Sequence, residues 1–383
     1  MEYFFTETQQ EIRSLARRFA VEKMKPVRAE LDRTGEFPYE LMKELGELGL
    51  MGVYIPEEYG GLGGGIMEMC IVVEELCRID GAAGLCYAAC GLGTYPIILG
   101  GTEEQKRQYL PRLAEGEIAA FGITEAMAGS DASNVKTTAR KDGDDYVLNG
   151  TKQFITNGSV AKVYSVIAST NPKRGARGLS AFIIEDGTPG LGFGKLEDKM
   201  GIRCSKTSEL VFEDCRVPAA QLIGGKEGYG FIHTMKTFDR TRPGVGAQAL
   251  GIAQGALDES LEYAKTRIQF EQPISSFQAV QVMLADMAIQ VEASRALIYE
   301  AARAIDAGMK NAAGVASMAK VLASDTAMKV TTDAVQVFGG YGYMREYPVE
   351  KMMRDAKITQ IYEGTNQIQR LVIASELIKG TVW

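Results

Sequence analysis

The apolar residues of this chain change period twice, and that double switch constrains the fold more than any single motif. Up to about residue 120 the spacing is helical. Ile12, Leu15 and Phe19 fall on one face, and Thr6 with Gln9 and Thr102 with Gln105 have the reciprocal capping-box spacing that opens a helix. Pro26 and the glycine-rich "EEYGGLGGG" divide the segment into separate helices. From about 121 to 225 the texture turns to alternation: "KDGDDYVLNGTKQFITNG", "VYSVIAS", "LSAFIIED" and "SELVFEDCRVP" read as short strands, with Asp142-Gly143 and Asn149-Gly150 as hairpin turns. After "GGKEGYG" the helical period returns. Phe277, Val280, Leu284, Met287, Val291 and Ile298 make one stripe and Leu250, Leu257 and Leu261 another, and such stripes are core faces of helices that pack as a bundle. The expectation is an α+β multidomain chain: an N-terminal helical domain over 1–120, a small antiparallel β-barrel or sandwich over 121–225, and a C-terminal helical bundle over 226–383.

Charge and rare residues exclude several function classes. The formal net charge of −7 offers no global positive field, so nucleic acid and anionic membrane surfaces are poor partners. One histidine, His233, and six cysteines without a Cys-x-x-Cys pair argue against zinc and against a histidine base, so no metal site is expected. The cysteines (Cys70, Cys77, Cys86, Cys90, Cys204 and Cys215) suit buried packing in a reducing, cytoplasmic compartment. "MEYFFTETQQEIRSLARRF" lacks the apolar core of a signal peptide, and no apolar run is expected to approach the roughly 20 residues that span a bilayer. "GLGGGI" and "GGYGYM" have neither the spacing nor the strand context of a dinucleotide fingerprint, which disfavours a nicotinamide Rossmann domain.

One carboxylate stands out. In "IYEGTNQ", residues 361–367, Glu363 lies between an aromatic and a glycine, just ahead of the amphipathic run "QIQRLVIASELI". It reads either as a solvated charge complementing a helix N-terminus or as a base for proton abstraction, and the second role needs an electron sink and a dry pocket elsewhere in the chain.

Six segments supply that context in order: "ITEAMAGSD" at 123–131, "FITNG" at 154–158, "FDRTRP" at 238–243, "RIQFEQPISSFQ" at 267–278, "QVFGGYG" at 336–342 and "MRDAKITQIYEGTNQ" at 353–367. With them the chain resembles the acyl-CoA dehydrogenase family over essentially its whole length. The resemblance implies a C-terminal four-helix bundle and oxidation of the α,β bond of an acyl-CoA thioester with bound FAD, electrons passing to an electron-transferring flavoprotein. An oxidase reoxidised by oxygen and a non-catalytic flavoprotein scaffold are the alternatives.

Residue by residue, the resemblance makes Glu363 the base and its N–H a donor to the thioester carbonyl. Phe121, Ile123 and Thr124 would line the isoalloxazine, with Phe154 against the ring and Thr156 toward N5, although Phe154 alone also reads as an inward strand residue. Gly129 and Ser130 would approach phosphate or pantetheine oxygens. Arg267, Phe270, Gln278, Gln336 and Gly340 would meet the adenine end of FAD across a subunit boundary, with Thr365 and Gln367 reaching its phosphates or adenosine, which implies a homotetramer. Asp239 and Arg242 match positions that meet CoA, or form an i,i+3 ion pair; Tyr362 and Gly364 would flank the thioester. Two departures matter. Some branches carry the base one residue before the arginine of "FDRTRP", where this chain has Thr241, and after "RIQF" a glycine is common where this chain has Glu271. The segment matching the acyl-pocket helix, residues 82–99, is uncharged, so a neutral short or medium, branched or alicyclic acyl group is expected, with Gly84, Gly91 and Gly93 leaving space for it unless larger neighbours such as Tyr87 and Tyr95 refill that space.

Overall fold

A computed structural model describes residues 4–309 and 312–380. Six helices come first: α1 (Glu7–Phe19), α2 (Arg28–Thr34), α3 (Tyr39–Glu47), α4 (Ile66–Cys77), α5 (Gly81–Gly100) and α6 (Glu103–Ala114). Both expected capping boxes form, at Thr6 with Gln9 and at Thr102 with Gln105. Seven strands follow: β1 (Ala119–Gly122), β2 (Thr138–Asp142), β3 (Asp145–Thr156), β4 (Val163–Ser169), β5 (Leu179–Glu185), β6 (Leu191–Leu196) and β7 (Thr207–Pro218). The bundle helices are α7 (Gly230–Thr266), α8 (Gln278–Asp306), α9 (Ala313–Phe338), α10 (Val349–Lys357) and α11 (Asn366–Lys379), with a hairpin of β8 (Ile268–Gln269) and β9 (Gln272–Pro273) between α7 and α8.

The seven strands form one sheet in the order β1-β4-β2-β3-β7-β6, with β5 on β4. Two details correct the sequence reading. The sheet is mixed, since β1 and β2 each run parallel to β4. Asp142-Gly143 does turn the β2–β3 hairpin, but Asn149-Gly150 lies within β3 at a register shift against β7, a bulge rather than a turn. Gly150 has φ of +145°, and a Cβ there would sit 2.6 Å from the Thr137 hydroxyl.

Another correction concerns α5, whose twenty residues are long and apolar enough to cross a membrane. Most of the helix is buried in protein, so it serves as a core helix. Its glycines mark close approaches. A Cβ on Gly93 would lie 2.7 Å from the Ala120 nitrogen, so β1 rides directly on the helix. Ser165 donates to the Gly93 carbonyl at 2.7 Å, and Asn157 donates to Cys86 O at 3.1 Å and Ala119 O at 3.3 Å, fastening the sheet along the helix.

A buried charge cluster joins α5 to the bundle. Lys351 on α10 donates to Asp80 at 2.7 Å and to Asp355 at 2.6 Å; Asp80 caps α5 through Ala82 N, and Asp355 accepts from the backbone of Ile202 in the β6–β7 connection. Replacing Lys351 with methionine would leave two carboxylates buried without their cation. Lys351→Met should therefore destabilise the fold by roughly 3–5 kcal/mol, read as a fall in the thermal unfolding midpoint; an unchanged midpoint would refute the cluster's structural role.

Candidate active site

Helices α4, α5 and α7, strand β1, the end of β3 and the turn before α11 converge on a cavity of about 120 Å³. Its apolar wall is Met69 and Val73 from α4, Leu85, Ala88, Ala89 and Leu92 from α5, and Phe238 and Val245 from α7. The polar residues in the lining are Thr124, Thr156, Thr241, Gln248, Tyr362 and Glu363. Glu363 is the one charged residue in the lining.

The turn that presents Glu363 is bent and bolted. Glu363 has φ of +49° and Gly364 of +88°, two consecutive left-handed residues. Glycine suits 364 because of its left-handed φ, and a Cβ there, 2.3 Å from the Gln369 amide nitrogen, would displace that side chain. That amide reaches back from α11 to donate to Glu363 O at 2.9 Å. Thr365 caps α11 by accepting from Ile368 N at 3.2 Å, and Asn366 donates to Asp325 at 2.7 Å and Ser324 at 2.9 Å on α9. The carboxylate itself accepts from the Thr241 hydroxyl at 2.7 Å. Burial raises the Glu363 carboxyl above the ordinary glutamate range, opposed by the Thr241 hydroxyl and by the charges of Arg242 and Lys320. Tyr362 is tied through its hydroxyl to the Gln248 side chain.

The expected site residues fall into separate groups. Phe121, Ile123, Thr124, Phe154, Thr156, Tyr362 and Glu363 meet around this cavity. Phe154 is not an inward strand residue: it is 60 % exposed and has φ of +57°. Behind Ile123 and Thr124, buried Lys152 donates to Glu125 at 2.6 Å and to Ile123 O at 3.3 Å, which fixes that edge. Arg267 and Gly340 line a second hollow at the other end of α7, where the guanidinium sits 5.2 Å from the Tyr341 ring centroid. Phe270, Gln278 and Gln336 are exposed outside that lining, as is Gln367 on α11. Gly129 and Ser130 are exposed on the loop after β1, outside the lining of the first cavity. Asp239 pairs with buried Arg242 at 2.8 Å, while the Arg242 Nε has no partner among the described residues.

Sequence reasoning missed four contributors: the Thr241 hydroxyl as a bond to Glu363, and Gln248, Lys320 and Gln369 as supports. The i+6 spacing from Glu363 to Gln369, on the inner face of an amphipathic helix, was a usable signal for the last. The glycines of α5 are a correction, since Gly84, Gly91 and Gly93 do not line the cavity. Cys77 sulfur lies 2.3 Å from where a Gly84 Cβ would be, β1 fills the space at Gly93, and Met69 and Tyr54 face Gly91. Tyr87 and Tyr95 are buried elsewhere, Tyr87 donating to Leu50 O at 3.0 Å and Tyr95 stacked on Tyr54.

These residues fit a flavin nucleotide. Phe154 offers an exposed aromatic surface beside two threonines, suited to a flat heteroaromatic ring with a polar edge. The second hollow pairs a guanidinium with exposed glycine backbone, Gly339–Gly340, suited to a nucleotide's far end.

Acyl-CoA dehydrogenase family models match the chain throughout, the N-terminal domain at residues 6–117, the middle domain at 120–215 and the C-terminal domain at 228–378. The chain belongs to the acyl-CoA dehydrogenase family, and its class is that of an oxidoreductase. Among its relatives, a probable acyl-CoA dehydrogenase FadE25 of Mycobacterium tuberculosis is 50% identical over 97% of this chain and 96% of its own. A short-chain specific acyl-CoA dehydrogenase of Clostridium acetobutylicum is 48% identical over 99% and 100%, and a cyclohexane-1-carbonyl-CoA dehydrogenase of Geobacter metallireducens 47% over 97% and 98%. Butyryl-CoA dehydrogenase from Megasphaera elsdenii superposes with a TM-score of 0.96 at 48% identity, covering 99% of this chain and 100% of that one. A chain solved with the electron transferring flavoprotein of Acidaminococcus fermentans superposes at 0.97 with 50% identity, covering 99% and 100%.

At the β8–β9 turn, Phe270 and Glu271 both take positive φ, +49° and +64°, as a two-residue type I′ turn demands. Glu271 thus holds a conformation that glycine adopts freely and a side chain adopts at a cost of roughly 1–2 kcal/mol. Glu271→Gly should relax the hairpin, seen as a raised thermal midpoint and a larger fraction of FAD retained on gel filtration. Weaker FAD retention would show instead that the glutamate side chain itself supports the cofactor.

Proposed function

We propose that this chain is an FAD-dependent dehydrogenase of short, uncharged acyl-CoA thioesters, with Glu363 as the base. The observation that carries the reading is the carboxylate of Glu363, held by the Thr241 hydroxyl in the lining of an otherwise uncharged cavity that it shares with the apolar side chains of α4 and α5 and the aromatic rings of Phe121 and Phe154. The α-proton of a thioester is weakly acidic, so the base must be oriented and dry. Thr241 and the Gln369 clamp orient Glu363, and burial strengthens it as a base. The Glu363 N–H would donate to the thioester carbonyl, where enolate charge develops. FAD, when bound, supplies the acceptor for the β-hydride. Phe121, Ile123, Thr124, Phe154 and Thr156 would hold its ring, with Gly129 and Ser130 toward phosphate or pantetheine.

In the same reading Asp239, Arg242, Tyr362 and Gly364 serve CoA and the thioester, and the unpartnered Arg242 Nε supports a polar ligand there. Arg267, Phe270, Gln278, Gln336, Gly340, Thr365 and Gln367 serve the adenosine and diphosphate of FAD, several of them for a neighbouring subunit of a homotetramer. The 86 % exposure of Phe270 supports that assignment, because a bare aromatic at a hairpin tip suits burial in an assembly. Residues 1–120, 121–225 and 226–383 act as three domains with the site at their junction. An electron-transferring flavoprotein takes the electrons, in the cytoplasm.

The acyl group follows from the wall. Burying a second carboxylate among Met69, Val73, Leu85 and Leu92 would leave it without a cation. The same lining includes the residues proposed to hold the flavin ring, so only part of the roughly 120 Å³ is left for the acyl group, which supports short groups over long ones. Anaerobic flavin bleaching should therefore be fast with butyryl- and isobutyryl-CoA, slower with octanoyl-CoA and negligible with glutaryl-CoA; a preference for glutaryl-CoA would refute the apolar-wall argument. Glu363→Gln should keep FAD and bind acyl-CoA, yet lose at least about a thousandfold in bleaching rate. Near wild-type bleaching in that variant would remove Glu363 as the base.

A further inference from the structure

Behind the Glu363 turn stands a buried cation for which the proposed proton abstraction has no direct use. Lys320, on α9, has no accessible surface, and its Nζ donates to the Gly364 carbonyl at 2.9 Å and to Asn366 Oδ1 at 2.8 Å. Among the described residues no carboxylate comes within ion-pair distance of it. A buried ammonium satisfied only by neutral oxygens is costly, so the fold keeps it against a penalty.

The charges around it are few. Arg242 faces it from α7, Glu363 from the turn and Asp325 from its own helix. Asp325 is already engaged by Arg370 at 2.8 Å and by the amides of Gln360 and Asn366, each at 2.7 Å. Arg242 is paired with Asp239. Of the cations near Glu363, Lys320 is the one without its own carboxylate. Burial, countered by Glu363 and Asp325, brings Lys320 down to about 8, so the ammonium still carries its charge at neutral pH.

We propose that Lys320 is a positioning residue for the reaction. Its ammonium, anchored on the Gly364 carbonyl and the Asn366 amide, fixes the left-handed Glu363–Gly364 turn and supplies the buried positive charge that keeps Glu363 ionised inside an apolar cavity. The inference rests on the reading of Glu363 as the base.

The test is the pH profile of flavin bleaching by butyryl-CoA in the holoenzyme. Since the base must be deprotonated, the rate falls as pH drops through the Glu363 pKa. In Lys320→Met the acidic limb should move up by about one pH unit, lowering the rate on that limb about tenfold while the alkaline plateau stays within about threefold. Lys320→Arg should keep the limb in place. A second readout follows proton abstraction alone: loss of α-deuterium to solvent from an acyl-CoA whose β-methylene is replaced by sulfur, so that no hydride can leave. It should show the same displacement. A uniform fall at every pH, with the limb unmoved, would reduce Lys320 to a structural support and overturn the proposal. Should Lys320→Met not give folded holoenzyme, Asp325→Asn carries the test, because removing that anion leaves the ammonium less neutralised and should move the limb to lower pH; an unmoved limb again overturns it. Exchange that persists in Glu363→Gln would instead refute the reading of the base, whatever Lys320 does.

Discussion

A carboxylate in an apolar cavity is pulled two ways, and the architecture around Glu363 is organised by that conflict. Burial makes the group a stronger base and at the same time favours its neutral form. Four features relieve the second effect: the Thr241 hydroxyl on the carboxylate, Arg242 one residue on, Lys320 behind the turn, and the N-terminus of α11 capped at Thr365. Helices α4 and α5 contribute only hydrocarbon to the lining, α7 contributes hydrocarbon together with Thr241 and Gln248, and the charges that act on Glu363 come from Arg242 on α7 and Lys320 on α9.

That arrangement depends on close contacts far from the carboxylate. α5 is held in place as the proposed acyl wall by β1, which lies directly on Gly93, and by Asn157, which donates across to Cys86 O. The start of α5 is held by Asp80, which shares Lys351 with Asp355 of α10, and α10 leads straight into the Glu363 turn. One buried lysine thus couples the acyl wall to the segment bearing the proposed base, and a second, Lys320, couples that segment to α9. Small shifts at either would change the distance between base and acyl chain, to which proton transfer is steeply sensitive.

Much of this was legible in the residues, for identifiable reasons. Period reports burial, so the helical stripes at Met287, Val291 and Ile298 and the alternating strands of the middle block were readable directly, and capping boxes report local bonds between residues three apart. Asn149-Gly150 misled because a dipeptide that favours positive φ serves a bulge as well as a hairpin, and only its long-range partner Thr137 decides between them. The α5 glycines misled in a similar way. An absent Cβ shows that something lies close, but not whether it is a ligand or Cys77. Thr241 was noticed for what it could not do, whereas its hydrogen bond spans 122 residues of sequence and has no local signature. Lys320 was invisible for a stronger reason: in a helical run a lysine reads as a solvated charge, and the exception needs three other segments to surround it.

Two of the turns with left-handed non-glycine residues bear on how such a chain divides its strain. At Glu363 the strained residue is the proposed base, and the turn is over-determined by Gln369, Lys320 and Asn366, each from an element that has other reasons to be where it is. At Phe270–Glu271 the turn stands exposed, closed by a two-residue ladder, with one ring contact between Phe270 and Phe277. Strain of the first kind is supported within one chain. Strain of the second kind has little support here, and an exposed aromatic at its tip is the feature that a neighbouring surface would stabilise. The proposed assembly and the proposed cofactor site then become the same physical problem, since the contact that buries Phe270 would also order the hairpin beside the hollow lined by Arg267 and Gly340.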